Sequence, residues 1–374
     1  MYKKLTIVSD TAIFCDKGKY FAFGPVVREV ENFEYLFEEI TWIGFNRLDK
    51  QNDLSMQEIK SKKINVVFLK NVGGKKVLSF LNIVFNYPAM LYIIIKHIYT
   101  AEVVHTRAPS HPAFIAVIVS FFLRKKIWWN KFAGSWNSKT LPFFYKVQKN
   151  ILIKAKHTKV TINGFWENQP QHCLSFENPC LTNNDLAAGK ISSDNKKFEA
   201  PFIFTFVGRL ESAKGVDRII EALQSIPLDK IAQVHFIGDG EKTIFYKEKT
   251  TFLKDKIHYH GFLGKERVHQ ILAESHFLLL PSDSEGFPKV IAEAACYGAI
   301  PIVSNVGSIA HYINDSNGFV WDLNSNKSYT SIVAKAINAN SLELKKQSIK
   351  IQEVAQKFTF TNYLEKLHDL IFIS

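Results

Sequence analysis

The sequence predicts an α/β protein made of two doubly wound domains of similar size. Three observations predict it. At 374 residues the chain is longer than one ordinary core organises, and 47% of it is hydrophobic against 22% charged, so it holds apolar material for two. Short β-rich runs alternate with stretches of helical spacing along the whole length, the pattern of parallel sheets joined by right-handed crossovers. A polar tract near the middle, rich in Asn, Ser and Lys, coincides with a change in charge balance.

The elements follow in order. The opening MYKKLTIVSD has too few apolar residues before Ser9-Asp10 for a signal peptide and reads as a first strand. EITWIGF, NVVFL, EVVHTR and KIWWN are further short strands, and VVREVENFEYLFEE has helical spacing. Residues 77–95 approach membrane-spanning length, but Asn82, Asn86 and Pro88 interrupt them and Lys75, Lys76 and Lys96 flank them. The apolar run over 113–123 is too short to span. Both read as buried or interfacial helices. Residues 184–200 read as a linker, leaving a first domain over 1–183 and a second over 201–358. In the second, strands FIFTFVG, AQVHFIG, KIHYHGF, FLLLPS and IPIVS alternate with helices VDRIIEALQSI, EKTIFYKEKTTFL, KERVHQILAES and PKVIAEAACY. Residues 359–374 form a terminal amphipathic helix. Cys15, Cys173, Cys180 and Cys296 lie far apart with no CxxC pair, which fits a reducing compartment.

Two stretches of the second domain carry chemistry. In FTFVGRLESAKGVDRIIEAL, Gly208 ends a strand and Gly215 stands at a helix entry. Arg209 and Lys214 therefore bracket a loop at the carboxyl end of a parallel strand, where open α/β sheets bind ligands. Two cations beside a helix N-terminus suit a polyanion such as a diphosphate. The same spacing also suits exposed cations paired with Glu211 and Asp217. In SEGFPKVIAEAACYGAIPIVS, Pro288 suits the first helical position and Gly298 the helix end. Glu285 then lies just before the helix and Glu293 in its second turn. Gly286 and Phe287 offer backbone amides at the helix mouth, where a carboxylate can accept hydrogen bonds from hydroxyls. Lys289 stands four residues before Glu293, either as its surface pair or as a further cation.

GRLESAKGVDRIIEAL, FIGDG, HGFLGKE and SEGFPKVIAEAACYGAIPIVSNVG together resemble the C-terminal domain of family 4 retaining glycosyltransferases, of the glycosyl transferases group 1 type. The resemblance implies the GT-B fold, two Rossmann-like domains facing across a cleft, with the last helix crossing back to the first domain. It also implies roles. Arg209 and Lys214 hold the donor diphosphate, Glu285 orients the donor sugar with the Gly286 and Phe287 amides beside it, and Glu293 accepts from the ribose. Gly261, Phe262 and Leu263 border the base, and Gly208 lets the phosphates lie close to the chain. No two aspartates stand two positions apart, so a DxD metal motif is absent and the two cations are expected to replace a divalent ion.

The N-terminal half resembles the family less. EVVHTRAPSHPAFIAVIVSFFLRKKIWWNKFAGSW matches a strand–helix–strand segment after which many members carry a histidine near the acceptor; this chain has KFAGSW instead. His105, Arg107 and Lys131 remain as acceptor-side candidates, with Trp136 and Asn137 beside them. The glycine-rich loop expected after the first strand is replaced by SDTAIFCDKGKYFAFGP, where Gly18 and Gly24 come late. The whole formal charge of +12 falls in the first 200 residues, which hold 28 Lys and Arg against 16 Asp and Glu. Nucleic acid, an anionic membrane or an acidic substrate would each account for it. No nucleic-acid module is recognised. The favoured partner is an anionic membrane surface met by Trp128, Trp129, Phe143, Phe144, Tyr145 and the lysines of YKVQKNILIKAKHTK.

The expectation is a cytoplasmic retaining hexosyltransferase, peripheral on the inner face of the cytoplasmic membrane. It would move sugar from a UDP- or GDP-sugar to a glycan or lipid-linked acceptor in bacterial cell-surface polysaccharide or lipopolysaccharide biosynthesis, without metal or other cofactor. A GT-B protein that binds nucleotide-sugar without transfer, and a GT-B nucleotide-sugar epimerase, are the alternatives.

Overall fold

The structure is a computed structural model. It describes residues 2–51, 53, 55–70, 77–134, 136, 141–166 and 168–373, with the side chains of 77–84 outside the description. It divides into two compact units, one of residues 1–176 with 364–374 and one of residues 177–363.

Unit 1 contains strands β1 (Tyr2–Asp16), β2 (Lys19–Phe23), β3 (Phe37–Asn46), β4 (Met56–Glu58), β5 (Ile64–Leu69), β6 (Val103–Ala108), β7 (Ile127–Phe132), β8 (Lys159–Asn163) and β9 (Cys173–Phe176). Its helices are α1 (Gly24–Asn32), α2 (Val77–Thr100), α3 (His111–Ser120) and α4 (Phe143–Lys154). The parallel strands run in the order β5-β3-β1-β6-β7-β8-β9, so the sheet reverses its direction of growth between β1 and β6. One side of the core packs Met90, Ile94 and Ile98 of α2 against Ile115, Ala116 and Val119 of α3 over Val8, Val104 and Trp128. Where a glycine-rich loop was expected, β1 runs on through a register shift between Val8 and Ala12 and turns back as a hairpin. Lys17 and Gly18, both at positive φ, make its two-residue turn. Trp128 and Trp129 are almost wholly buried, so they cannot face a membrane as expected.

Unit 2 contains α5 (Asn183–Asn195), β10 (Phe202–Val207), α6 (Val216–Gln224), β11 (Ile231–Ile237), α7 (Thr243–Lys249), β12 (Ile257–Tyr259), α8 (Lys265–Glu274) and β13 (Phe277–Leu280). It continues with α9 (Lys289–Cys296), β14 (Ile300–Ser304), β15 (Phe319–Trp321), α10 (Tyr329–Ile337) and α11 (Ser341–Gln356). Its all-parallel sheet has the order β12-β11-β10-β13-β14-β15, the 3-2-1-4-5-6 arrangement of a doubly wound dinucleotide-binding fold. A last helix, α12 (Phe360–Leu367), leads into residues 368–372. There Phe372 packs on Tyr2 and Phe37, and its carbonyl accepts the Tyr2 hydroxyl at 3.0 Å.

Residues 184–200 are not a linker: most of them form α5, and unit 1 ends at Phe176 rather than at 183. Hydrophobic periodicity missed this helix because its buried positions are Gly189 and Ser193. It is held by polar contacts instead. Thr182 and Asp185 make a reciprocal capping box, Lys265 bonds Asp185 at 2.7 Å, and the Ser193 and Ser348 hydroxyls meet at 3.2 Å.

His276, just before β13, shows how such contacts tie stability to pH. Its Nδ1 accepts the Ile203 amide at 3.0 Å, which requires an unprotonated nitrogen, and its Nε2 donates to the Lys197 carbonyl at 2.9 Å. Burial, with Lys196 nearby, pushes its pKa down to about 4. Above the unfolded value of about 6.5 both states are neutral; below it only the unfolded chain takes a proton, so stability falls as pH drops toward about 4. The urea midpoint should therefore fall between pH 7 and pH 5, and His276→Gln should narrow that difference. An unchanged difference would contradict the assignment.

Candidate functional site

In unit 2 the sheet changes direction between β10 and β13, and a crevice opens there beyond the carboxyl ends of the strands. The loop after β10 carries Gly208, Arg209 and Lys214; the loop after β13 carries Glu285 and Gly286. Topology alone thus brings together two motifs 71 residues apart. The contact is direct: the Lys214 ammonium bonds Glu285 Oε1 at 2.6 Å, with the carboxylate largely buried.

Further ties lock the loops. The Asp283 amide donates to the Ala213 carbonyl at 2.9 Å, and Arg218 bonds both the Asp283 carboxylate at 2.7 Å and the Pro281 carbonyl at 2.9 Å. Gly215 has φ +75°, and a Cβ there would lie 2.1 Å from the Pro281 carbonyl oxygen, so only glycine permits this approach. On the other side, a Cβ on Gly307 would meet the Glu285 carbonyl oxygen at 1.9 Å, and the Ser308 amide donates to Gly286 at 2.9 Å. The Glu285–Gly286 backbone is therefore clamped from both sides. Arg218, Asp283 and Gly307 escaped the sequence reading. Their signal was present in the Gly215-x2-Arg218 and Val306-Gly307 steps, but nothing in a single sequence assigns a contact to them.

Arg209 differs from Lys214. Its guanidinium is 76% exposed and meets Glu211 at 3.4 Å, a surface pair of little strength that leaves it available to an incoming anion. A Cβ on Gly286 would meet nothing within 4 Å, so packing does not explain that glycine, and open space lies over it. Gly261, at φ +63°, is joined to Gly238 by a 2.7 Å backbone bond, and Phe262 after it exposes its ring.

The helix mouth departs from expectation in three details. Pro288 is the N-cap, and Lys289 is the first helical residue. Lys289, read as a partner for Glu293 or a further cation, sends its ammonium to the Pro179 carbonyl at 2.9 Å. The Phe287 ring turns inward to stack on Phe358 at 4.5 Å, so its backbone alone faces the site. Glu293 is half-buried in the second turn of α9. With burial, its charge helps raise the Cys180 and Cys296 thiols, the latter to about 12, so both stay protonated.

In unit 1 the three acceptor-side candidates separate. His105 lies inside β6, wholly buried and stacked on Trp129 at 3.7 Å. Burial, helped by the Arg107 charge, holds its pKa well below the ordinary value, so it is a neutral packing residue and not an acceptor contact. Arg107 and Lys131 converge on Glu29, at 3.0 and 2.7 Å, where the carboxylate is almost wholly buried. Arg107 also lines a cavity of about 420 Å³ with Asp10, Thr11, Phe23, Gly134 and Tyr145, at the point where the unit 1 sheet reverses. Asp10 reaches solvent at the rim, yet the protein packed around it raises its pKa, with Arg107 opposing. Asn137 lies outside the described residues, and Trp136 packs edge-on against Phe132. Among the described residues no cluster of His, Cys, Asp and Glu could hold a metal ion.

Comparisons with known proteins agree with this geometry. Residues 188–357 match the family model described as glycosyl transferases group 1. A glycogen synthase of Francisella tularensis subsp. mediasiatica is 25% identical over 185 residues, 46% of this chain and 37% of that protein. The alignment thus spans well under half the length of that relative. Among solved structures, a glycosyltransferase from Rickettsia africae aligns over 100% of this chain and 99% of its own, with TM-score 0.66 and 19% identity. Anabaena Alr3699/HepE, in complex with UDP and glucose, aligns over 99% of both chains with TM-score 0.66 and 14% identity. WaaG, a glycosyltransferase involved in lipopolysaccharide biosynthesis, aligns over 100% of both with TM-score 0.62 and 16% identity. At these identities the structural likeness speaks for the fold, and the fold is GT-B.

The buried ion cluster of unit 1 makes a testable claim. Glu29→Gln removes the carboxylate that two buried cations share and should cost about 3 kcal/mol or more. Tryptophan fluorescence in urea would report it, because five of the six tryptophans lie in unit 1. Adding Lys131→Met should restore part of the loss; an unfolding midpoint unmoved by Glu29→Gln would refute the pairing.

Proposed function

We propose that this chain, whose C-terminal unit is of the glycosyl transferases group 1 type on a GT-B fold, is a retaining hexosyltransferase. It would use a UDP- or GDP-sugar and a glycan or lipid-linked acceptor, in cell-surface polysaccharide or lipopolysaccharide assembly at the cytoplasmic face of a membrane. The observation that carries this is the 2.6 Å contact of Lys214 with Glu285 at the sheet's switch point. It sets a cation for a diphosphate and a carboxylate for sugar hydroxyls side by side. HepE, with UDP and glucose bound, and WaaG, named for lipopolysaccharide biosynthesis, support the donor type and the setting.

Each group has a task in this reading. As the bond from anomeric carbon to phosphate breaks, negative charge grows on the departing diphosphate, and Lys214 with the exposed Arg209 stabilises it. Glu285, fixed by Lys214 and by the clamped backbone, accepts from sugar hydroxyls and faces the positive charge on the sugar. Gly208 and Gly286 let the ligand approach the chain, and Gly286 and Phe287 contribute amides. Glu293 takes the ribose hydroxyls, and Gly261 to Leu263 border the base. On the acceptor side, Arg107 lines the unit 1 cavity and Lys131 supports it through Glu29. The acceptor oxygen bonds to the anomeric carbon on the face the diphosphate leaves, and its proton passes to a diphosphate oxygen. Two cations carry the leaving-group charge, so no metal is required.

A thermal-shift screen against UDP-, GDP-, CMP- and dTDP-sugars identifies the donor, since ligand affinity appears as added stability. With that donor, Lys214→Met and Glu285→Gln should each lower kcat about 100-fold or more. Lys214→Met should also weaken binding of the free nucleoside diphosphate, whereas Glu285→Gln should leave it near wild type. Activity should survive chelator. Full turnover by Glu285→Gln would refute the site, and tight donor binding without any turnover would favour a binding protein.

A further inference from the structure

The outward face of α2 is the least expected surface of unit 1. Its inward face, Met90, Ile94 and Ile98, is spent on the core. A helix that is apolar all round needs an apolar environment on both sides. Yet Phe85 is 80% exposed, Tyr92 69% and Tyr99 75%, and Leu91 and Ile95 are exposed beside them. At 100° per residue these five fall on one continuous arc, with Lys96 on the same arc. Past the end of α2 the surface continues in Phe122, 81% exposed and followed by Arg124, Lys125 and Lys126. Lys126 fastens that turn to α2 by bonding the Tyr99 and Ala101 carbonyls at 2.9 and 2.6 Å.

The charge beside this face identifies what it meets: Lys96 stands on its arc, and Arg124, Lys125 and Lys126 stand at its end with Glu102 next to them. The surrounding stretch, residues 59–166, holds eighteen lysines and arginines and that one acidic residue, with Arg107 and Lys131 of the count spent on Glu29. We propose that the α2 face, with Phe122 at its end, is the docking surface of this chain on an anionic phospholipid bilayer. Phe85, Tyr92 and Tyr99 would enter the headgroup–acyl boundary, and Lys96, Arg124 and Lys125 would contact lipid phosphates. Aromatic rings on one side with lysines at the margin are what an interfacial helix requires. The helix lies on the bilayer and does not cross it; among the described residues no helix is long and apolar enough to span. A second copy of the chain fits less well, because pairing these faces would set like charges against each other. The proposal places the membrane contact on α2, where Trp128 and Trp129 cannot make it, and it stands apart from the donor site.

The full chain should float with phosphatidylcholine vesicles containing phosphatidylglycerol and much less with phosphatidylcholine alone. Tyr92→Asp with Tyr99→Asp should lower the partition coefficient at least about tenfold. Both positions are exposed, so the unfolding midpoint should not move. Phe122→Ser is an independent variant expected to weaken flotation in the same direction. Lys96→Glu with Lys125→Glu should remove the preference for phosphatidylglycerol. Flotation unchanged by the tyrosine pair, binding indifferent to phosphatidylglycerol, or a wild-type dimer that the tyrosine pair dissociates would each overturn the proposal. None of these results depends on turnover, so they leave the Glu285 and Lys214 assignments to be judged separately.

Discussion

Everything in unit 2 that bears on chemistry depends on two loops being held against each other where the sheet reverses. A parallel sheet grown outward from one central strand leaves its first helices on opposite faces, and the loops after β10 and β13 diverge around the gap. The gap is useful only if its walls are fixed. Here they are fixed by backbone contacts that tolerate no side chain, at Gly215 against Pro281 and Gly307 against Glu285, and by an ion pair between the loops. The ion pair does more than tether. A largely buried carboxylate without a partner would be costly, and under the proposed function a lysine is the partner that can turn toward a donor phosphate.

Unit 1 uses buried charge differently. Glu29 holds Arg107 and Lys131 at the carboxyl ends of adjacent strands, β6 and β7. A buried carboxylate shared by two cations fixes the geometry of both, and in that position it makes the floor of a cavity rigid. Where relatives are expected to offer a histidine, this chain offers a fixed lysine. The nearby His105 is sealed into the sheet by Trp129 and kept neutral. The unit also forgoes a glycine-rich loop, since β1 extends into a hairpin and its register shift turns Asp10 and Thr11 to the cavity rim.

What was legible in the sequence follows from how each feature is encoded. The strands and amphipathic helices of unit 2 were readable because their burial has a period. Lys214 and Glu285 could be singled out together because both lie in motifs at strand ends that share the family resemblance, although the spacing around Lys214 alone also suited a surface pair. The structure puts the two side chains in contact. α5 was not readable, because it docks through Gly189, Ser193 and Asp185 and shows no apolar stripe. His105 and the two tryptophans were misread for a shared reason. A β-strand buried on both faces gives no alternation from which to tell inward from outward. Lys289 was ambiguous because lysine caps carbonyls as readily as it pairs with acids, and no local pattern announces a partner as far off as Pro179.

The last case limits what net charge can mean. Many lysines behind the formal charge of +12 are already engaged with backbone oxygen: Lys63 caps Glu34 and Phe37, Lys126 caps Tyr99 and Ala101, and Lys149 caps Trp136. Bonding to a carbonyl does not discharge an ammonium, so these groups still contribute to the positive field of the basic half, which on the proposed docking would draw it toward an anionic surface. That field is screened over a Debye length of about 8 Å at physiological salt, and attraction alone holds nothing in register. Contact requires side chains that are exposed and placed. Among the described residues of unit 1, the cations of this kind beside the exposed apolar face are Lys96, Lys125 and Arg124, whose Nε donates to the Phe121 carbonyl at 3.1 Å. The charge count could locate the surface only to half the chain; burial reduces it to one helix and the turn that follows α3.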